Sequence, residues 1–106
     1  MVSVEVIRNN NARKFEPSCR IHRGCCRLGR NQSKEHFLAI CDKAYDEWAA
    51  GKQILTEASL IGMKARADLV VLDDSRVVEI PISEKPERLD TKKDIWEYNG
   101  FRMEVI

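Results

Sequence analysis

Two short apolar runs, "ADLVVL" (67–72) and "VVEIPIS" (77–83), flank the polar tetrad "DDSR" (73–76). Each has strand length and β-branched content, and the tetrad is turn-forming, so the pair reads as an antiparallel hairpin. An isolated hairpin is marginal in water. The rest of the chain must widen this sheet and cover it, which excludes an all-helical fold.

The flanks do both. Upstream, "SKEHFLAICDKAYDEWAAG" (33–51) spaces Phe37, Leu38, Cys41, Ala44, Tyr45 and Trp48 by threes and fours, the stripe of an amphipathic helix. Ser33 suits the N-cap, Glu35 the positive N-terminal end and Gly51 the C′ position. The stripe is expected to be buried, and Tyr45, Trp48, Trp96 and Phe101 are expected in the core. "KQILTEASL" (52–60) follows as a strand, with Gly62 opening a turn. Downstream, Pro86 suits N1 of a second helix, "PERLDTKKDIWEY" (86–98), with Leu89, Lys92, Lys93 and Trp96 sharing a face. Asn99 and Gly100 stop it, and "FRMEVI" closes as a strand. The order from residue 33 is helix, strand, strand, strand, helix, strand. A right-handed crossover sets the last strand parallel to its predecessor. The expected fold class is therefore α/β, a single domain with a mixed sheet, which suits 106 residues.

Residues 1–32 read as a basic strand and loop segment ahead of a core at 33–106. "VSVEVI" (2–7) alternates as a strand would, and the remainder is polar, basic and punctuated by Gly24 and Gly29. The net charge of +1 conceals an asymmetry: residues 1–34 carry +6 and the other 72 carry −5. A basic arm on an acidic body suits a binder of phosphate backbones. Arg13, Lys14, Arg20, Arg23, Arg27, Arg30 and Lys34 are its candidate DNA contacts, and a solvated basic loop is the plain alternative. No apolar run reaches the roughly 18 residues of a membrane span. The N-terminus lacks a secretion layout, so a cytoplasmic location is expected.

Cys19, His22, Cys25 and Cys26 offer a candidate zinc set within "CRIHRGCC". Zinc ligands usually come as spaced pairs from converging elements, and four within eight residues fit that poorly. Reduced loop cysteines are the better reading.

Two acids interrupt the hairpin. If the turn is tight and centred between Asp74 and Ser75, Asp68 opposes Pro81 and Val70 opposes Glu79. Asp68 and Glu79 are then diagonal neighbours on one face, whereas a one-residue slip would part them. Converging carboxylates repel one another unless a cation neutralises them, and Glu57 in the preceding strand can add a third. Solvated acids on an exposed face are the alternative.

The succession "SKEH", "GKQILTEASL", "RADLVVLDD", "VVEIPISE", "KKDIWEY" and "GFRMEVI" resembles the PD-(D/E)xK nuclease superfamily over about residues 33–106. The nearest likeness is the minimal branch of archaeal Holliday-junction resolvases and competence-associated CoiA-like proteins. The resemblance implies a restriction-endonuclease-like domain using Mg²⁺ or Mn²⁺ to hydrolyse phosphodiester bonds in DNA. Asp68 would be the metal-binding aspartate and Glu79 the acid of the (D/E)xK element, with Glu35 and Glu57 as auxiliary acids. Pro81 stands where the family has lysine, and it cannot position water or offset charge. Lys92 or Lys93 would take that role, with Lys64 and Lys85 as weaker candidates; a snorkelling pair on a solvated helix is the alternative for Lys92 and Lys93. His36 would touch a phosphate or the metal shell, or else be a satisfied first-turn residue. The expectation is a homodimeric DNA-binding nuclease, with branched or mobile-element DNA as the candidate substrate. The rivals are a catalytically degenerate relative that binds DNA or a protein partner, and a small regulatory protein with an N-terminal zinc site.

Overall fold

The helix expected over 33–51 forms as α3 (Lys34–Ala49), where Ser33 Oγ accepts from His36 N at 3.1 Å and Gly51 takes φ +85° beyond the end. In the computed structural model, which describes residues 2–29, 32–81 and 86–106, it is one of four helices around a four-stranded sheet. The others are α1 (Val4–Ala12), α2 (Pro17–Arg20) and α4 (Pro86–Tyr98). The strands are β1 (Ile54–Ser59), β2 (Arg66–Val71), β3 (Arg76–Glu79) and β4 (Arg102–Val105), in spatial order β1-β2-β3-β4. The first two pairings are antiparallel; β3 and β4, joined through α4, run parallel, so the sheet is mixed.

Successive residues of β3 point to opposite faces, and the core divides accordingly. Val78 joins Ile54, Leu69, Val71 and Ile80 beneath Ile40 and Ala44 of α3. Val77 joins Leu55, Val70, Ala12, Phe15, Cys19, Trp96 and Phe101 on the other side. Phe15, Trp96 and Phe101 form an aromatic cluster with centroids 5.5–6.1 Å apart. The N-terminal segment therefore contributes to the core rather than standing apart from it, and Phe15 also bridges to Leu60.

Three expectations are overturned. Residues 2–7 are not a strand: Val4 begins α1, and Ser3 caps it by accepting from Val6 N at 3.3 Å. Val2, Val4 and Val6 are all exposed, so their alternation buries nothing. The helix is held by polar side chains instead. Arg8 grips Asp73 with two bonds of 2.7 and 2.8 Å, and Asn11 donates to Leu72 O and Ser75 Oγ.

The second correction concerns α3, whose buried residues are Ile40, Ala44 and Glu47. Tyr45 and Trp48 are 65% and 60% exposed. The helix lies on its Ile40 side because Glu47 has a partner there: Arg76 Nη2 meets Glu47 Oε1 and Asp74 Oδ2, both at 2.8 Å. Lys52, Lys43 and Glu104 complete this ionic network.

The third is the hairpin register. A 3₁₀ turn over Leu72–Asp74, closed by left-handed Ser75 (φ +51°), replaces the tight turn. Val70 consequently faces Val77 rather than Glu79. β3 ends at Glu79, while the expected strand residues 82 and 83 lie outside the described residues.

Candidate metal centre

The first strand pair carries a defect. Thr56 pairs with Leu69 and Ala58 with Ala67, so Glu57 and Asp68 are opposite one another, but the ladder skips them. Glu57 adopts φ +48°, rare for a side chain other than glycine, asparagine or aspartate. One effect is a slip in the two-residue alternation. Leu55 and Ala58, three apart, enter the same core cluster, as do Ala67 and Val70 on the facing strand. The break swings Glu57 and Asp68 toward the start of α3, where His36 waits.

His36 Nε2 lies 3.3 Å from Asp68 Oδ2, and that oxygen also accepts from Ile80 N at 2.8 Å. The pairing of β2 with β3 extends from Val71–Arg76 to Leu69–Val78, and the Asp68 carboxylate fills the gap beyond. Gln32, just ahead of the helix cap, ties the group together. Its amide nitrogen reaches Glu57 Oε1 at 3.0 Å and His36 Nδ1 at 3.3 Å, while its oxygen accepts from Gly29 N at 2.8 Å. Arg66 Nε stands 3.1 Å from Glu57 Oε2. Gly29 packs closely on the group: a Cβ at that position would meet Glu57 Oε2 at 3.2 Å, a tight contact.

One donor atom each from His36, Glu57 and Asp68 falls within 4.8 Å of the others, and among the described residues this is the one such group of three or more. Burial pushes the Glu57 carboxyl above its ordinary range; Arg66 draws it back, Asp68 raises it further, and His36 and Arg27 draw it back again. A buried Glu57 facing a partly buried Asp68 favours the arrival of a cation. An imidazole with two carboxylates suits Mn²⁺, Fe²⁺ or Zn²⁺ better than Mg²⁺, which prefers oxygen ligands throughout.

The other expected site residues are distributed as follows. Glu79 is fully buried and lies outside the trio; Lys92 Nζ of α4 stands 3.7 Å from its Oε2. Asp68 thus meets the α3 side of the sheet and Glu79 the α4 side, so the expected convergence on one face gives way to the slip at Glu57. Lys93 pairs with Glu97 at 3.9 Å along α4. Glu35 is exposed in the first turn of α3, outside the trio.

Among the proposed DNA contacts, Arg13 and Lys34 are exposed. Lys14 instead donates to Asn99 O at 2.9 Å and lies 4.9 Å from the Phe101 ring centre. Arg23 is held by Gln53 at 2.9 Å. Arg20 and Arg27 are partly buried, and Arg30, like Lys85, lies outside the described residues. Cys19 is buried, while Cys25 and Cys26 are exposed. Among the described residues, no three of Cys19, His22, Cys25 and Cys26 bring donor atoms within 4.8 Å. Cys26 is engaged by Cys41 of α3 instead.

Sequence reasoning marked Asp68 and Glu57 as ligands but weighed His36 only as an accessory. It missed Gln32. The available signal was position: His36 is the third residue after the Ser33 cap, where the first turn of a helix orients a side chain. Compared with family models, curated proteins and solved structures, the chain matches none.

Proposed function

We propose that the chain binds a divalent transition metal at His36, Glu57 and Asp68 and uses it to hydrolyse phosphodiester bonds in nucleic acid. The observation that carries this reading is the trio itself: three donor atoms within 4.8 Å, built on a left-handed Glu57. The cation would supply a Lewis acid for the phosphoryl oxygens. The residues provide the rest. Gln32 orients Glu57 and His36, and Ile80 N holds Asp68. Arg66, 64% exposed at its side chain, stands beside Glu57 as a cation able to turn toward a phosphate. Lys92 meets Glu79 on the α4 side of the sheet, apart from the trio, so the positive charge that Pro81 cannot supply would come from Arg66. The helix–strand order of 33–106 supports a likeness to PD-(D/E)xK nucleases, and Mn²⁺ fits the donor set better than Mg²⁺.

A second reading, binding without cleavage, is favoured by the burial of Glu79 beside Lys92 and away from the trio. Incubation with linear and branched DNA in Mn²⁺, Zn²⁺, Mg²⁺ or chelator separates the two. Cleavage in Mn²⁺ that vanishes in Asp68→Asn and His36→Ala supports hydrolysis. Retained DNA binding with no cleavage in any metal supports the second reading, and no DNA affinity at low salt contradicts both.

A further inference from the structure

Both carboxylate oxygens of Glu57 have a partner: Gln32 Nε2 donates to Oε1 at 3.0 Å, and Arg66 Nε stands 3.1 Å from Oε2. Gln32 also meets His36 Nδ1 at 3.3 Å, which leaves the other ring nitrogen, Nε2, facing Asp68 at 3.3 Å. The atoms left to a cation are therefore His36 Nε2, an Asp68 oxygen and Glu57 Oε2, and a guanidinium already stands on the last. We propose that Arg66 is an exchangeable internal cation: it neutralises Glu57 in the metal-free protein, yields Oε2 to the metal, and then holds the phosphate of the substrate. The inference rests on the metal site proposed above and assigns it an order of binding.

Burial and position decide which neighbour of Glu57 can move. Arg66 opens β2 opposite Ser59, so it reaches Glu57 along the diagonal between the two strands. Glu57 is buried, whereas Arg66 is exposed and returns to water when it lets go. An ion pair this open is weak and gives way to a cation bound by three ligands at once. Arg27 also draws on Glu57, but it is half-buried and its backbone N is tied to Thr56 Oγ1 at 2.8 Å. Arg66 is the cation with room to turn.

Charge sets the order. With His36 neutral, as a ligand must be, the two carboxylates outweigh Arg66 by one negative charge. An anion arriving first meets that excess and is turned away. A divalent cation reverses it to one positive charge, and repulsion between the metal and the nearby guanidinium drives Arg66 off Glu57. The surplus then matches a phosphodiester, which carries a single negative charge and accepts both arms of a guanidinium fork. Metal and phosphate are thereby coupled, each strengthening the binding of the other.

Calorimetric titration of the chelator-stripped protein with Mn²⁺ near neutral pH, with and without thymidine monophosphate, tests the exchange. Without nucleotide, Arg66→Gln is expected to bind Mn²⁺ about threefold more tightly than the wild type, because no guanidinium has to leave. With saturating nucleotide the ranking is expected to reverse: the wild type gains about tenfold in Mn²⁺ affinity and the variant about twofold. Uncharged thymidine should change neither. Arg102→Gln removes an exposed arginine at the opposite end of the sheet, beside Arg76 on β3, and should behave as the wild type throughout. Equal or weaker Mn²⁺ binding by Arg66→Gln without nucleotide overturns the inference, and so does an equal gain from nucleotide in both proteins. Either result leaves the metal site standing, whereas no Mn²⁺ binding by the wild type sinks the site and the exchange together. A reversed ranking with no DNA cleavage in any metal sinks the hydrolytic reading alone.

Discussion

Glu57 and Asp68 face each other across β1 and β2 at a position where the ladder between those strands is interrupted. A buried carboxylate and a left-handed backbone coincide at Glu57. Each is unfavourable on its own, and a rarely populated conformation at a site of clustered ligands is where function is expected to hold strain in place.

That strain is measurable. Glu57→Gly allows the left-handed conformation and removes the buried acid, whereas Glu57→Gln keeps the strained side chain. In chelator, Glu57→Gly is expected to be more stable than Glu57→Gln by about 1 kcal/mol, several degrees of melting temperature. Equal melting temperatures would contradict a strained Glu57. Both variants are expected to lose metal affinity.

Arg76 is the centre of a second cluster, with Glu47, Asp74 and Glu104 within 3.3 Å. Removing one member of a buried ion pair leaves the other charge stranded. Arg76→Met is expected to cost about 3 kcal/mol in urea unfolding. Arg76→Met combined with Glu47→Leu should recover much of that loss, because no buried acid is left behind. A double variant as unstable as the sum of its singles would refute coupling.

Asp73 and Asp74 connect stability to pH. Burial alone would raise the Asp73 carboxyl, but the Arg8 hydrogen bond and Gln53 N hold it below its ordinary value. Burial acts likewise on Asp74, and Arg76 and Lys52 overcome it. A lowered acid stabilises the fold above its unfolded-state pKa, and that contribution is lost as pH falls toward the folded value. Melting temperature should therefore drop as pH falls through and below the ordinary carboxylate range. Asp73→Asn should have a shallower acid limb. Glu57 acts with the opposite sign: its raised carboxyl makes folding take up a proton, so its contribution declines as pH rises above that range.

Cys26 should be a slow thiol despite its exposure. Desolvation, then its hydrogen bond with Cys41, push it up to about 11. The thiolate is the reactive form, so alkylation of Cys26 near neutral pH is expected to be slower than for an ordinary surface thiol. Cys41→Ala should speed it. Mass-spectrometric timing of modification at each cysteine measures both, and a rate unchanged by Cys41→Ala would argue against the contact.

Much of the architecture was legible in the order of patterns. α3 and α4 announced themselves through Ser33, Gly51 and Pro86, because caps are local signals. The parallel β3–β4 pair followed from the crossover rule. What escaped depended on contacts distant in sequence. "VSVEVI" alternates as a strand would, yet α1 is positioned by Arg8 on Asp73 and Asn11 on Leu72, which no local pattern reveals. The stripe through Tyr45 and Trp48 was read as the buried face because it is the apolar one; the sheet instead takes the side where Glu47 finds Arg76. Of the four acids marked in the chain, Glu57 and Asp68 meet in the structure, while Glu79 and Glu35 stand outside the trio. Their grouping escaped the sequence because the hairpin register and a single positive φ at Glu57 are not local signals: Asp68 lies beside His36, and Glu79 beside Lys92.

The central claim is that His36, Glu57 and Asp68 hold one divalent cation. Its most direct test is calorimetric titration of the chelator-stripped protein with Mn²⁺, repeated on His36→Ala and Asp68→Asn after circular dichroism shows each variant folded. The account predicts one equivalent bound per chain in the wild type and none in either variant. No binding to the wild type, or undiminished binding to both variants, would contradict it.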